Sequence, residues 1–238
     1  MKKVIIALVF AMAFVVFSQA IAKEKPRIGI LRFTNTTNAG WWGRTAGQDL
    51  QDMLIAELAS MKTFRVLERK ELGAVLDEQD LGASGRISKS TSTKIGNITG
   101  AKYLVAATVS AFEESTSGEG GGLSFKGIRV GGKRGKAYIA VDLKVIDVET
   151  GEIADARTVE ASSKSSGLRF GLSRGDFSGD LDRHKKTPTG KAIRACVIEI
   201  SEYLECSLVK GKNDSCMAEY EAKESKRKAT TKKSIDLE

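Results

Sequence analysis

The segment YIAVDLKVIDVETGEIADARTVEA, residues 138–161, constrains this chain more than any other. Two β-patterned runs, Tyr138–Val148 and Glu152–Ala161, flank a Thr150-Gly151 turn. Strands joined by so short a connection must pair antiparallel. Tyr103–Phe112 reads as a further strand, so the middle of the chain is a long antiparallel meander. The front reads differently. Arg27–Phe33 (RIGILRF) is a short apolar run bounded by Pro26 and a Thr/Asn cluster, the pattern of a buried strand. Thr45 opens a helix, with Gln48 at capping-box spacing and Leu50, Met53, Leu54, Leu58 and Met61 on one stripe. Phe64–Leu67 is a short strand, and Leu72, Val75, Leu76 and Gln79 form a second amphipathic helix ending near Gly82. Ile95 and Ile98 mark a third, shorter helix that stops at Gly100. Thr189 caps a long last helix with the stripe Ile193, Val197, Ile200, Leu204 and Leu208. Strand–helix alternation followed by a meander predicts an α/β fold, a mixed sheet with flanking helices.

Two glycine-rich stretches hang off the meander. In residues 122–141, Leu123 and Phe125 alternate with Ser124 and Lys126. The phase slips at Gly127, as at a β-bulge. Ile128 and Val130 then alternate with Arg129, and Gly131-Gly132 makes the turn. In residues 167–181, Leu168, Phe170 and Leu172 lead to a turn at Arg174-Gly175-Asp176, with Phe177 and Leu181 on the return. Each hairpin has one apolar and one polar face, as transmembrane β-strands do. Four strands cannot close a barrel, so a barrel of this kind must be shared among subunits. A second reading fits the same residues: solvent-exposed hairpins on an exported protein. The alternating arms are only ~5–8 residues, where a spanning strand needs ~9–11. Lys133, Arg134 and Lys136 crowd the first return arm, and a lipid-facing Lys or Arg costs about 2–4 kcal/mol at the bilayer midplane.

Gly127 to Lys133 also satisfies G-x-x-x-x-G-K. A phosphate loop needs Ser or Thr next and then a helix. Arg134 follows instead, and the chain runs into a β-patterned segment, so the match is accidental.

The N-terminus sets the compartment. Lys2 and Lys3, an apolar run from Val4 to Phe17, and Ala20-Ile21-Ala22 describe a cleavable secretory signal over residues 1–22. No Cys follows the apolar run, so no lipoprotein acceptor is read there. Cleavage would lower the formal charge from +8 to +6. The densest basic cluster lies in residues 211–238, which lack apolar periodicity and read as a disordered tail. The cluster Lys223–Lys233 has no aromatic among its charges, and the exported chain is not expected to meet nucleic acid. Among Cys196, Cys206 and Cys216, a 206–216 disulfide is favoured over three free thiols, because the pair flanks a turn-like Gly211–Asp214. Cys196 falls on the apolar stripe of the last helix. The single histidine, His184, sits in a charged loop. With no nucleophile–base pair and no zinc spacing, neither an enzyme nor a cofactor or metal site is expected.

Met61–Gly85 (MKTFRVLERKELGAVLDEQDLGASG) and Ile98–Glu114 (ITGAKYLVAATVSAFEE) resemble the signature of the CsgG family, the curli-type outer-membrane secretion channel component. Val145–Ile153 (VIDVETGEI) matches that family's strand–TGE–strand turn. The resemblance runs from Arg27 to Leu208. It implies a periplasmic α/β domain over residues 23–210 that assembles into a homo-oligomeric ring. Hairpins at about 115–137 and 162–183 would build one shared barrel in the outer membrane, through which unfolded secreted fibre subunits cross without nucleotide. The family's pore narrows at a loop between the first strand and first helix, and its aromatic position falls on Trp41 and Trp42. The alternative is a soluble periplasmic protein with a CsgG-like domain and no barrel, binding a cell-envelope partner.

Overall fold

The structure is a computed structural model that describes residues 24–117, 123–125, 128–130, 134–164 and 187–233. The signal segment and the second glycine-rich stretch, with Leu168, Phe170, Leu172, Phe177 and Leu181, lie outside the described residues.

Strand β1 (Arg27–Ile30) starts a mixed sheet, with Ile28 and Ile30 on one face and buried in the core. A two-residue β2 (Thr34–Asn35) continues its line. β1 pairs in parallel with β3 (Arg65–Leu67) and β4 (Tyr103–Ser117), and β2 pairs with β4. The next two strands, β5 (Leu123–Phe125) and β6 (Ile128–Val130), pair with each other in a separate ladder. Beyond β4 the main sheet turns antiparallel through β7 (Arg134–Asp147) and β8 (Ile153–Lys164), in the order β3-β1-β4-β7-β8. The parallel pairs follow from the intervening helices and the antiparallel pairs from the Thr150-Gly151 connection. Gly151 takes φ +74°, the left-handed value that glycine adopts without strain.

Helix α1 (Ala46–Met61) buries Leu50, Leu54 and Leu58. Helix α2 (Leu72–Ala83) follows β3 and buries none of its residues. Helix α3 (Pro188–Leu204) buries Ile193, Val197, Ile200 and Leu204. The stripes of α1 and α3 meet Val105, Ala107 and Val109 of β4 and Ile139, Val141, Leu143 and Val145 of β7 in a single core. Each such side chain is worth about 1.5–3 kcal/mol of burial, which outweighs helix propensity. Gln51 donates to the Ile30 carbonyl at 2.7 Å and ties α1 to the end of β1. Gly47 is required there: a Cβ would stand 2.4 Å from the Phe33 carbonyl oxygen.

Several expectations are corrected. The capping box does not form at Thr45: its hydroxyl donates to Asp49 at 3.1 Å and gives the helix no side-chain cap. The cap of α3 is Thr187, which accepts from the Gly190 N–H at 3.2 Å, with Pro188 at the first helical position. Thr189 is buried inside the helix and donates to Glu114 at 2.9 Å. Residues 92–100 form no helix, and Ile95 is 67 % exposed. A stretch that short, holding Gly96 and Gly100 and burying little, cannot offset the cost of helix nucleation.

The tail is also structured. After a π-helical turn (Glu205–Lys210), α4 (Ser215–Lys233) carries the chain back over β8. Cys206 and Cys216 form a disulfide with Cα atoms 6.1 Å apart. Met217 and Tyr220 are buried. The Arg157 guanidinium lies 4.8 Å from the Tyr203 ring and 5.5 Å from the Tyr220 ring, and donates to the Tyr220 carbonyl at 2.5 Å. Asp155 beside it accepts from Tyr203 at 2.6 Å and from Ser207. Desolvation, with the bond to Asp155, pushes the Tyr203 phenol well above its ordinary pKa. Two anchoring residues one turn apart are too sparse a pattern to betray a docked helix in sequence. Cys196 is buried, and desolvation raises its thiol to about 12, so it behaves as a small hydrophobe.

Candidate channel hairpins and constriction loop

The site worth building is where the meander leaves the body. The ladder of β4 with β7 runs from Tyr103↔Asp147 to Ser117↔Arg134, broken once by a bulge between Val109 and Ala111. The core continues past the bulge, where Ile139 and Ala137 are buried opposite Phe112 and Glu114. The N-terminus of α3 marks the limit of cover. Pro188 leaves only 3.1 Å for a Cβ at Gly135, and Thr189 holds Glu114. Ser115 and Lys136, paired between these two contacts, are exposed, while Gly135 and Ala137 on either side of Lys136 are buried. β8 accompanies β7 along this course as far as Lys136↔Lys164.

Beyond Ser117 lies the two-stranded ladder of β5 with β6. Leu123 pairs with Val130 and Phe125 with Ile128, alternating with the Ser124–Arg129 pair. These four apolar positions therefore share one face of the ladder by register. β5 and β6 run antiparallel, and the bulge expected at Gly127 and the turn expected at Gly131-Gly132 lie outside the described residues. Two residues separate the strands, the length of the shortest hairpin connection. In sequence order the β5–β6 ladder is therefore nested inside the β4–β7 ladder.

The loop between β1 and α1 reaches this root. Asn35 folds it back: its carboxamide oxygen accepts from the Thr37 N–H at 2.9 Å and the Thr37 hydroxyl at 2.7 Å. The Trp42 N–H then donates to the Ala39 carbonyl at 3.0 Å. Trp41 is 4 % exposed and meets Phe112 edge-on at 5.7 Å and Trp42 at 5.5 Å. Its indole N–H is buried without a hydrogen-bond partner. Trp41 is a core residue whose ring packs beside the root of the β4–β7 ladder, and Trp42 is half-buried against the same core. Phe112 is the partner that sequence reading missed; its position as the last apolar residue of the strand was the available signal.

The root carries charge. A groove of about 350 Å³ is lined by Glu113, Glu114, Lys136 and Tyr138, with Ser162 and Ser163 across from them. Burial, with Glu160 beside it, pushes the Tyr138 phenol up to about 12, so it stays a neutral donor. Arg227 of α4 lies 3.8 Å from Glu160 and 2.7 Å from Glu224. The Arg227 bond holds the Glu224 carboxyl at about 2. The last helix is therefore wired to the base of the hairpins. This arrangement holds an extended ladder rigidly at its base and sets an aromatic next to it; no helix among the described residues is long and apolar enough to cross a membrane.

The profile of the family described as "Curli production assembly/transport component CsgG" matches residues 9–235. Curated proteins of that description from Salmonella typhimurium and from Escherichia coli K12 are 25% identical to this chain over 160 residues, 65% of the chain. The chain spans 58% of the length of these relatives. Among solved structures, the hypothetical protein CT253 from Chlamydia trachomatis is similar at TM-score 0.47 and 15% identity, over 79% of this chain and 100% of that one. A PelC dodecamer from Paraburkholderia phytofirmans scores 0.36 at 13% identity, over 74% of this chain and 87% of that one. Both likenesses are too distant to assign a function.

Proposed function

The chain belongs to the CsgG family of curli production assembly/transport components, and from that premise we propose that it is one subunit of a homo-oligomeric outer-membrane channel. The ring exports unfolded curli-like fibre subunits without nucleotide. The observation that carries this reading is the β4–β7 ladder, which continues past the bulge to Ser117↔Arg134 and leads into the β5–β6 ladder. In an assembly, these arms and those from residues 162–183 join into a shared barrel. Leu123, Phe125, Ile128, Val130, Leu168, Phe170, Leu172, Phe177 and Leu181 face lipid. Trp42 lines the constriction and grips an extended chain by side-chain contact, while Trp41 pins the loop to Phe112. The signal at residues 1–22 delivers the chain to the periplasm. The α/β domain is residues 23–210, extended by the docked start of α4.

Cell fractionation tests it. The full chain should pellet with outer membranes, resist carbonate extraction, and run as a large oligomer that boiling dissociates. Phe125→Asp with Phe170→Asp should abolish insertion while leaving the body folded. A monomer in the soluble periplasm, unmoved by those substitutions, overturns the channel and leaves a periplasmic protein whose hairpins dock on an envelope partner.

A further inference from the structure

Helix α2 has an amphipathic sequence, yet none of its residues is buried. Leu72, Val75 and Leu76 share one face. Val75 is 41 % and Leu76 44 % exposed, and Ile95 and Ile98 are exposed on the returning segment, whose Gly96 N–H donates to the Gln79 carboxamide oxygen at 3.3 Å. Helical geometry sets Glu78 and Asp80 on the two flanks of that face. Both are exposed, and neither makes an ion pair among the described residues. An amphipathic helix that leaves its apolar stripe half bare is waiting for a partner surface.

A complementary surface exists elsewhere on the same chain. At the N-terminal ends of β1 and β4, a groove of about 280 Å³ has an apolar lining of Pro26, Tyr103 and Leu208. Its charged residues are Glu24, Lys25, Arg27 and Lys102. Glu24 is occupied by Arg27 at 3.7 Å and Arg65 at 3.4 Å. Lys25 and Lys102 carry no ion pair among the described residues, and Lys102 lies 5.6 Å over the Tyr103 ring. Val148, 47 % exposed, extends the apolar area beside it, its N–H donating to the Lys102 carbonyl at 2.9 Å. One surface is thus apolar with two acids outside any ion pair, and the other apolar with two such lysines.

We infer that α2 of one copy docks into the Lys25–Lys102 groove of a neighbouring copy. The two surfaces share no residue, so each subunit uses α2 on one neighbour and the groove on another, and the contact propagates until it closes. Apolar contact supplies the attraction, and the acid–lysine pairs fix which copy and which register. The inference rests on the oligomer reading above and names the surfaces that make it.

The test is a charge swap in the full chain, followed by sedimentation velocity across a concentration series. Glu78→Lys with Asp80→Lys makes both surfaces basic, and Lys25→Glu with Lys102→Glu makes both acidic. Each should weaken association about tenfold, since attraction becomes repulsion at two exposed pairs. The chain with all four substitutions should recover the parent's association. Every substituted residue is exposed, so circular dichroism should be unchanged. If either variant associates like the parent, or if the four-fold variant stays dissociated, the inference is overturned. The channel reading fails separately: swaps that shift association in material that fractionates as soluble uphold the docking contact and refute the channel. A heat-labile outer-membrane oligomer indifferent to the swaps does the opposite.

Discussion

Truncating Trp41 to alanine should destabilise the protein by about 2–4 kcal/mol, whereas truncating Trp42 should cost about 1 kcal/mol or less. Removing a buried large aromatic costs about 3–5 kcal/mol in a well-packed core, and Trp41 is 4 % exposed. Its edge contacts with Phe112 at 5.7 Å and Trp42 at 5.5 Å belong to that figure. The orphaned indole lowers it. The Trp41 N–H is buried without a partner, and deleting an unsatisfied buried donor returns about 1–3 kcal/mol. Trp41→Phe separates the two contributions: it keeps a ring against Phe112 and deletes the orphaned donor, so it should cost about 1 kcal/mol. The assay is urea unfolding of the purified chain followed by circular dichroism, comparing midpoints at constant slope. Equal losses for Trp41→Ala and Trp42→Ala would refute the division of the pair into anchor and half-buried ring. So would a Trp41→Phe loss as large as that of Trp41→Ala. In the channel reading, Trp42→Ala should raise single-channel conductance while leaving stability nearly untouched.

Other consequences can be checked on the same material. Gly47→Ala forces a Cβ to 2.4 Å from the Phe33 carbonyl oxygen and should cost about 1–3 kcal/mol, read from the same unfolding curves. Replacing Cys206 and Cys216 by serine should cost about 2 kcal/mol and expose α4 to protease first, since the bridge closes the turn that leads into it. Glu224 is held at about 2 against its ordinary 4.5, chiefly by Arg227. A depressed carboxylate stabilises the fold fully above its unfolded pKa, and the contribution drains as pH falls through the folded value. The protection of α4 amides relative to their intrinsic exchange rates should therefore fall between about pH 4.5 and 2, by an amount worth about 1 kcal/mol for a partly exposed pair. Glu224→Gln should flatten that dependence; an unchanged profile would refute the assignment.

Much of the fold is legible in the residues. The Thr150-Gly151 hairpin, the buried run at Ile28–Ile30 and the stripes Leu50–Leu54–Leu58 and Ile193–Val197–Ile200 are all where periodicity puts them. A period of two or 3.6 survives into three dimensions whenever one face is buried, because burial is what the period encodes. The alternation of Leu123, Phe125, Ile128 and Val130 is written locally for the same reason.

What the residues could not say is which of several equivalent groups the tertiary structure would use. Thr187 and Thr189 are both able caps, and the packing of α3 over Gly135 and Glu114 decides between them. Trp41 and Trp42 are adjacent and identical, and only the position of Phe112 on β4 buries one of them. The tail carries just Met217 and Tyr220 as buried anchors, and becomes a docked helix because Arg157 of β8 and Tyr203 of α3 meet Tyr220. Helix α2 shows the converse: its stripe promises burial that the protomer does not deliver. Local sequence fixes periodicity and turn chemistry, since these depend on neighbours along the chain. The choice between equal candidates belongs to contacts between residues distant in sequence, where volume and hydrogen bonding are settled by whatever arrives on the other side.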